Sequence, residues 1–308
     1  MLIIIAAFYL LTSTTAYAES GPTKKTCNKQ SLSILLTNDD GYDKPGIRAL
    51  HRVFKGAGHR VVLAAPAGNA SGSSTSVTFA PIKVSEAEPN IYAIEASPAS
   101  TVLLGVGNYF PDGPPDLVIS GINKGANLGP ATPVSGTVGA TIAALLLSEP
   151  AIPAIAISTD SFQPTSGTDV DEQQANLEHL DRIAHFVLTM VTRLQGRSCN
   201  GGALLPPRLA LNVNYPPIPD RDIKGVKLTQ QSRTPTFRLS YAPSENNPRL
   251  YAPRFEKQLP ALTGDEGDTS AFHQGYITIV PIDGNYTADA KSRASIARWL
   301  EGLEHTNR

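Results

Sequence analysis

The sequence predicts an α/β protein with a Rossmann-like, doubly wound and mostly parallel sheet. Three observations carry this. Short β-branched and apolar runs recur through the first half of the chain, amphipathic segments alternate with them, and Gly, Asn, Asp and Ser gather where the runs stop.

Ser33 to Thr37 reads as the first strand. A helix follows from about Gly46 to Lys55, with Ile47, Leu50 and Val53 at helical spacing and Gly56 to Gly58 as its stop. Arg60 to Ala64 is the next strand, and Ser71 to Thr78 is a hydroxyl-rich loop that belongs at the carboxyl edge of the sheet, where open α/β sheets bind ligands. Leu117 to Ser120 and Ala154 to Ser158 are further strands, with the Ala- and Leu-rich stretch from Gly136 to Leu147 as a buried helix between them. Residues 159–173 read as a polar surface loop, and Gln174 to Leu194 as a long helix whose inner face carries Leu177, Leu180, Ile183, Ala184, Val187 and Met190. The core is expected over about residues 32–215. Thr229 to Leu262 lacks apolar periodicity and reads as an extended arm. Gly275 to Pro281 is a closing strand and Ala288 to Leu303 a terminal helix, both within a closing segment of about 268–303.

Residues 1–18 have the pattern of a secretory signal peptide: an apolar run from Leu2 to Leu11, then Ala16-Tyr17-Ala18 as an A-x-A site. A secreted or periplasmic location is therefore expected, with residues 19–31 as an N-terminal extension and 32–308 as one large domain. Cys27 and Cys199 are the two cysteines, and an oxidising compartment allows them to pair or leaves two thiols. The 26 basic and 27 acidic residues give no polyanion-binding surface, so no nucleic-acid partner is expected. No later segment has the length of apolar sequence a membrane span needs.

Chemistry concentrates in a few turns. Asn38-Asp39-Asp40-Gly41 places two adjacent carboxylates directly after an apolar strand, where each raises the other's pKa unless a cation is present. The same four residues also suit an ordinary turn. Ser71-Gly72-Ser73-Ser74 and Ser120-Gly121-Ile122-Asn123 bring neutral oxygens to the same edge. Carboxylate, hydroxyl and amide oxygens without His or Cys suit Mg²⁺ or Mn²⁺ and not zinc. Gly125-Ala126-Asn127-Leu128-Gly129 and Ser135-Gly136-Thr137-Val138-Gly139 lead into the Ala-rich helix. Such a start offers N–H groups and hydroxyls to an anion, or Ser135 and Thr137 merely cap it. Lys124 reads equally as a phosphate contact or a solvated surface lysine. Asn69-Ala70-Ser71 and Asn285-Tyr286-Thr287 fit the glycosylation pattern. A glycan at Asn69 would crowd Ser71, and His273 receives no catalytic role.

Four motifs in order resemble the SurE (survival protein E) family of metal-dependent 5′- and 3′-nucleotidases and phosphatases. They are Leu35-Leu36-Thr37-Asn38-Asp39-Asp40-Gly41 with Pro45-Gly46-Ile47, Ala65-Pro66 with Ser71-Gly72-Ser73-Ser74, Ser120-Gly121-Ile122-Asn123 with Gly125-Ala126-Asn127-Leu128-Gly129, and Ser135-Gly136-Thr137-Val138-Gly139-Ala140. The resemblance covers residues 32–160 well, and Leu211-Asn212-Val213-Asn214 and Asp268 to Pro281 more thinly. It implies one divalent ion, Mg²⁺ or Mn²⁺, per subunit, held by Asp39, Asp40, Ser71 and Asn123. It places the Ser135-Gly136-Thr137 turn beside the phosphate; Asn127 is expected there too, and Asp39 or Asp40 is expected to accept the proton of the attacking water. The family's arm and C-terminal segment exchange between subunits, which implies a homodimer or homotetramer. The implied substrate is a small phosphate ester, a nucleoside monophosphate first and other esters under a broader phosphatase reading.

Two stretches depart from the family pattern. Ala96-Ser97-Pro98-Ala99-Ser100-Thr101 replaces a Gly-Thr-Pro-x-Asp-Cys stretch, and Pro130-Ala131-Thr132-Pro133 replaces an acidic pair, so substrate choice is the property they affect. Two rival readings are an extracytoplasmic binding protein for a phosphorylated ligand and a metal-dependent hydrolase of another ester. Paired aspartates disfavour the first, and the lack of a nearby histidine ligand disfavours the second.

Overall fold

The computed structural model describes residues 31–162, 169–198, 203–235, 237–244, 246–257 and 267–303. The leader pattern of 1–18, Cys27 and Cys199 lie outside the described residues, as do parts of the arm and of the 159–173 loop.

The first half follows the expected alternation: β1 (Ser33–Thr37), α1 (Pro45–Gly56), β2 (Arg60–Pro66), β3 (Val84–Glu88), β4 (Ile91–Ile94), α2 (Pro98–Asn108), β5 (Leu117–Lys124), α3 (Gly136–Leu146), β6 (Ala154–Thr159) and α4 (Asp169–Arg197). The rest comprises β7 (Ala210–Asn214), β8 (Gly225–Leu228), β9 (Phe237–Ser244), β10 (Asn247–Lys257), α5 (Asp268–His273), β11 (Tyr276–Ile282) and α6 (Ala290–Trp299). Nine strands form one sheet in the order β3-β4-β2-β1-β5-β6-β7-β11-β8. From β4 through β7 neighbouring strands are parallel, while β3 at one edge and β11 against β7 run antiparallel.

Residues of β1 are buried on both faces. Ile34 and Leu36 pack with Ile47, Leu50 and Phe54 of α1 and with Ile183 and Val187 of α4. Leu35 turns to the other layer, with Val102 of α2 and Val138, Ala140 and Ala144 of α3. This two-sided burial is why the strand reads as an unbroken apolar run rather than an alternation. From β1 the chain proceeds to β2 on one side and later returns to β5 on the other. The strand order therefore reverses between β1 and β5, the crevice where an open parallel sheet receives a ligand.

Several expectations are revised. α4 begins at Asp169, so the polar loop after β6 is shorter than the sequence suggests. β3, β4 and α2 add a hairpin and a helix where no element was expected. The arm is a two-stranded antiparallel hairpin of β9 and β10, separate from the main sheet, with Tyr241, Leu250, Tyr251 and Phe255 exposed. α6 is shorter than expected and buries no residue; its Trp299 is 77% exposed.

Candidate active site

The site grows from the end of β1. Asn38, fully buried, closes the turn: its Nδ2 donates to Gly41 O (2.8 Å) and its Oδ1 accepts from Gly41 N (3.2 Å). That bracing holds Asp39 and Asp40 at the crevice. Asp39 is 3% exposed and its main-chain oxygen accepts Ala70 N–H at 2.7 Å, which ties the Ser71–Ser74 loop to the turn. Thr137 Oγ1 donates to Asp39 Oδ1 at 2.5 Å, and the N–H groups of Gly136 and Thr137 also donate to this carboxylate. A Cβ on Gly136 would lie 2.6 Å from Ser73 Oγ and 2.8 Å from Asp39 Oδ2, so the loop, the aspartate and the start of α3 converge on one point. The Ser73 hydroxyl there is buried without a hydrogen-bond partner.

Asp40 belongs to the other wall. Its Oδ2 accepts Lys124 N–H at 3.1 Å. Between Ser120 and Asn123 the register of β5 against β6 shifts, an irregularity that re-aims the strand end. Asn123 Nδ2 donates to Gly125 O at 2.7 Å, which commits the amide nitrogen and leaves its carbonyl oxygen as the atom available to a cation. Ser71 N–H donates to Asn69 Oδ1 at 2.7 Å, and Ser71 is exposed. Asp40, Asn69, Asn123 and Lys124 line a cleft of about 540 Å³, whose apolar wall includes Pro45 and Leu180.

Burial holds both carboxyls above their ordinary value of 3.8. For Asp39 the hydrogen bonds from Thr137 oppose it. For Asp40 the Lys124 N–H opposes it, while the Asp39 charge adds to it. A buried carboxylate and a half-buried one at adjacent positions are relieved by a cation. The donor set fits a hard one: among the described residues no group of three or more His, Cys, Asp or Glu side chains could hold a metal, and the oxygens here come from two Asp, one Ser and one Asn.

At the start of α3 the capping reading holds, and the N–H groups there are taken up by protein atoms. Ser135 is the N-cap, its Oγ accepting Val138 N–H at 3.1 Å. The anion beside Gly136 and Thr137 is the Asp39 carboxylate. Asn127 is drawn inward: its Nδ2 donates to Ser158 Oγ (2.9 Å), its N–H to Asn214 Oδ1 (2.7 Å), and its O accepts from Asn212 Nδ2 (2.9 Å). Asn212 and Asn214 were not foreseen as site supports. Their signal was present, since residues i and i+2 of a strand share a face and two amides on a buried face need partners.

His179, on α4, lies behind this wall. Thr159 Oγ1 donates to Tyr215 O (2.8 Å), so it accepts from His179 Nε2–H at 2.9 Å. The ring sits against Phe162 and Tyr215, and its Nδ1 is buried without a partner. Burial, then the neighbouring Arg182, pushes its pKa down from 6.5 to about 4. Between those values the unfolded chain binds the extra proton and the folded one does not, so stability falls as pH drops through that window, by about 3 kcal/mol. Asp39 and Asp40, held above 3.8, act in the opposite sense. Urea unfolding at pH 7 and pH 4.5 is expected to show a stability loss on acidification that is much smaller in His179→Gln.

The family profile of Survival protein SurE matches residues 34–237. This chain belongs to the SurE family. Among its relatives, a 5′-nucleotidase SurE of Dichelobacter nodosus (strain VCS1703A) is 34% identical over 280 residues, covering 88% of this chain and 100% of that protein. A 5′-nucleotidase SurE of Actinobacillus succinogenes is 35% identical over 279 residues, covering 88% and 99%. The crystal structure of SurE protein from Aquifex aeolicus superposes with a TM-score of 0.66 at 31% identity, covering 87% of this chain and 99% of that one. The SurE match spans every candidate site residue from Asp39 to Thr137 and ends at the root of the hairpin, before α5.

Proposed function

We propose that this SurE-family chain is a divalent-metal-dependent phosphomonoesterase that hydrolyses nucleoside monophosphates, with other small phosphate esters as further substrates. The observation that carries the reading is the pair of adjacent carboxylates at the β1/β5 reversal, Asp39 buried against Thr137 and Asp40 half-buried on the wall of the cleft. The relatives' name, 5′-nucleotidase SurE, supports the substrate class.

Asp39, Asp40, Ser71 and Asn123 would hold one Mg²⁺ or Mn²⁺. When bound, the ion supplies Lewis-acid charge at a phosphoryl oxygen and lowers the pKa of a water. Thr137 and the start of α3 fix Asp39. Asp40 has one oxygen on Lys124 N–H and one to spare, which would accept the proton of the attacking water. Water forms the new P–O bond, the ester P–O bond breaks, and the proton leaves with the alcohol. The Lys124 side chain, on the wall of the cleft, would offset charge on the non-bridging oxygens. The cleft beside Asp40 has room for the leaving alcohol.

The exposed aromatic residues of the β9–β10 hairpin and α6, which buries no residue, support subunit exchange in a homodimer or homotetramer. The leader pattern of residues 1–18 supports an extracytoplasmic site of action. The test is phosphate release from a panel of nucleoside monophosphates and p-nitrophenyl phosphate. Activity with Mg²⁺ or Mn²⁺, lost with EDTA and restored by the metal, is the expected result; no release from any ester with any metal would sink the reading.

A further inference from the structure

Among the described residues, Asp268 at the start of α5 is the one carboxylate residue with 0% exposure. Its charge is met by main-chain donors from three segments. Ser232 N–H and Thr269 N–H each reach Oδ1 at 2.8 Å, and Gly129 N–H is shared between Oδ1 (3.2 Å) and Oδ2 (3.1 Å). Neighbours tighten the same junction: Gln231 Nε2 donates to Gly129 O at 2.9 Å, Asp268 N–H to Gln230 O at 2.9 Å, and Thr269 Oγ1 to Thr234 O at 3.3 Å. Gly129 is gripped closely. At φ +47°, a Cβ there would stand 3.0 Å from Thr269 Oγ1 and 3.1 Å from the carbonyl oxygens of Ser232 and Thr234.

Gly129 opens the short 3-10 turn Gly129–Val134, and that turn touches three segments of the site. Thr132 Oγ1 donates to Asn127 O at 3.1 Å. Pro133 O accepts Ser74 Oγ at 2.7 Å and Val134 O accepts Ser74 N–H at 3.2 Å, which fixes the loop that carries Ser71. Ser135, the next residue, caps α3 and sets where Gly136 and Thr137 meet Asp39.

We propose that Asp268 is a positioning residue for the phosphate-ester site: by clasping Gly129 to the arm root and to α5, it sets the turn from which the Ser71 loop, Asn127 and the start of α3 take their places. The proposal rests on the phosphomonoesterase reading. Asp268 touches no reacting atom, and its effect passes through the turn.

The experiment compares wild type, Asp268→Ala, Asp268→Asn and Gln231→Ala, loaded with Mn²⁺, at 15 °C, each confirmed folded by circular dichroism. The readouts are kcat/KM on a nucleoside monophosphate, the Kd for orthophosphate, and amide hydrogen exchange over residues 71–76 and 129–137. Asp268→Ala is expected to lose kcat/KM by about 100-fold, the scale of an ångström-sized misplacement, with weaker orthophosphate binding and faster exchange in both segments. Asp268→Asn keeps an oxygen for Ser232 and Thr269 and is expected to recover most of the loss; Gln231→Ala is expected to lose several-fold. If Asp268→Ala does not fold, Asp268→Asn and Gln231→Ala still decide. Folded variants with a lowered Tm but wild-type kcat/KM and orthophosphate affinity would overturn the clasp alone. Wild-type protein that neither releases nor binds phosphate would overturn the clasp and the phosphomonoesterase reading together.

Discussion

Asp39→Asn is expected to lower metal-dependent phosphate release by about 10³-fold or more, with the protein still folded. The substitution removes one negative charge from a set whose other oxygens are neutral except for Asp40. It also turns an amide NH₂ toward the Thr137 hydroxyl or the N–H groups that now donate to the carboxylate. Both effects act on the same function, cation retention. Calorimetric titration should therefore show Mn²⁺ affinity falling alongside kcat/KM, with excess metal recovering part of the rate. A loss below tenfold with unchanged Mn²⁺ affinity would remove Asp39 from the ligand set.

The second large effect comes from a methyl group. Gly139 lies in the first turns of α3, where a Cβ would stand 2.0 Å from Ser74 O, 2.3 Å from Ser74 C and 2.8 Å from Thr75 N. All three are main-chain atoms, so nothing can swing aside and the loop itself must move. Helix propensity alone favours Gly→Ala by about 1 kcal/mol, but overpacking against a fixed backbone costs about 3 kcal/mol and decides the sign. Gly139→Ala is thus expected to be about 2 kcal/mol less stable in urea unfolding and about 100-fold less active, because the displaced loop carries Ser71. Gly107→Ala in α2, with nothing within 4 Å of its Cβ, serves as the control and is expected to be neutral or slightly stabilising. Equal behaviour of the two variants would show that the loop does not press on α3.

The parts of the fold that were legible in the sequence are those in which burial dictates residue type. β1, β2 and β6 are continuous apolar runs because both faces are covered, and α1 shows its inner stripe at helical spacing. β3 escaped because Val84–Glu88 is exposed throughout and carries no alternation. α2 escaped because Pro98 and small residues obscure its period. The site divides the same way. Asp39 and Asp40 stand out because adjacent carboxylates after a strand need a reason, and the hydroxyl loops lie a few residues past strand ends. Asp268 gives no such local sign: beyond the adjacent Thr269, the partners it joins are Ser232, 36 residues away, and Gly129, 139 residues away. Only the fold joins them.

The closing segment also gives the protein a timetable. Among the described residues β8 pairs with β11 alone, and β11 completes its side of the sheet only after residue 275 has been made. A nascent chain ending before residue 268 already contains every candidate site residue from Asp39 to Thr137, yet it lacks the carboxylate that accepts from Gly129 N–H. Because a domain folds as a unit, the nine-stranded sheet and the clasped Gly129–Val134 turn are completed together, once the closing segment has been made.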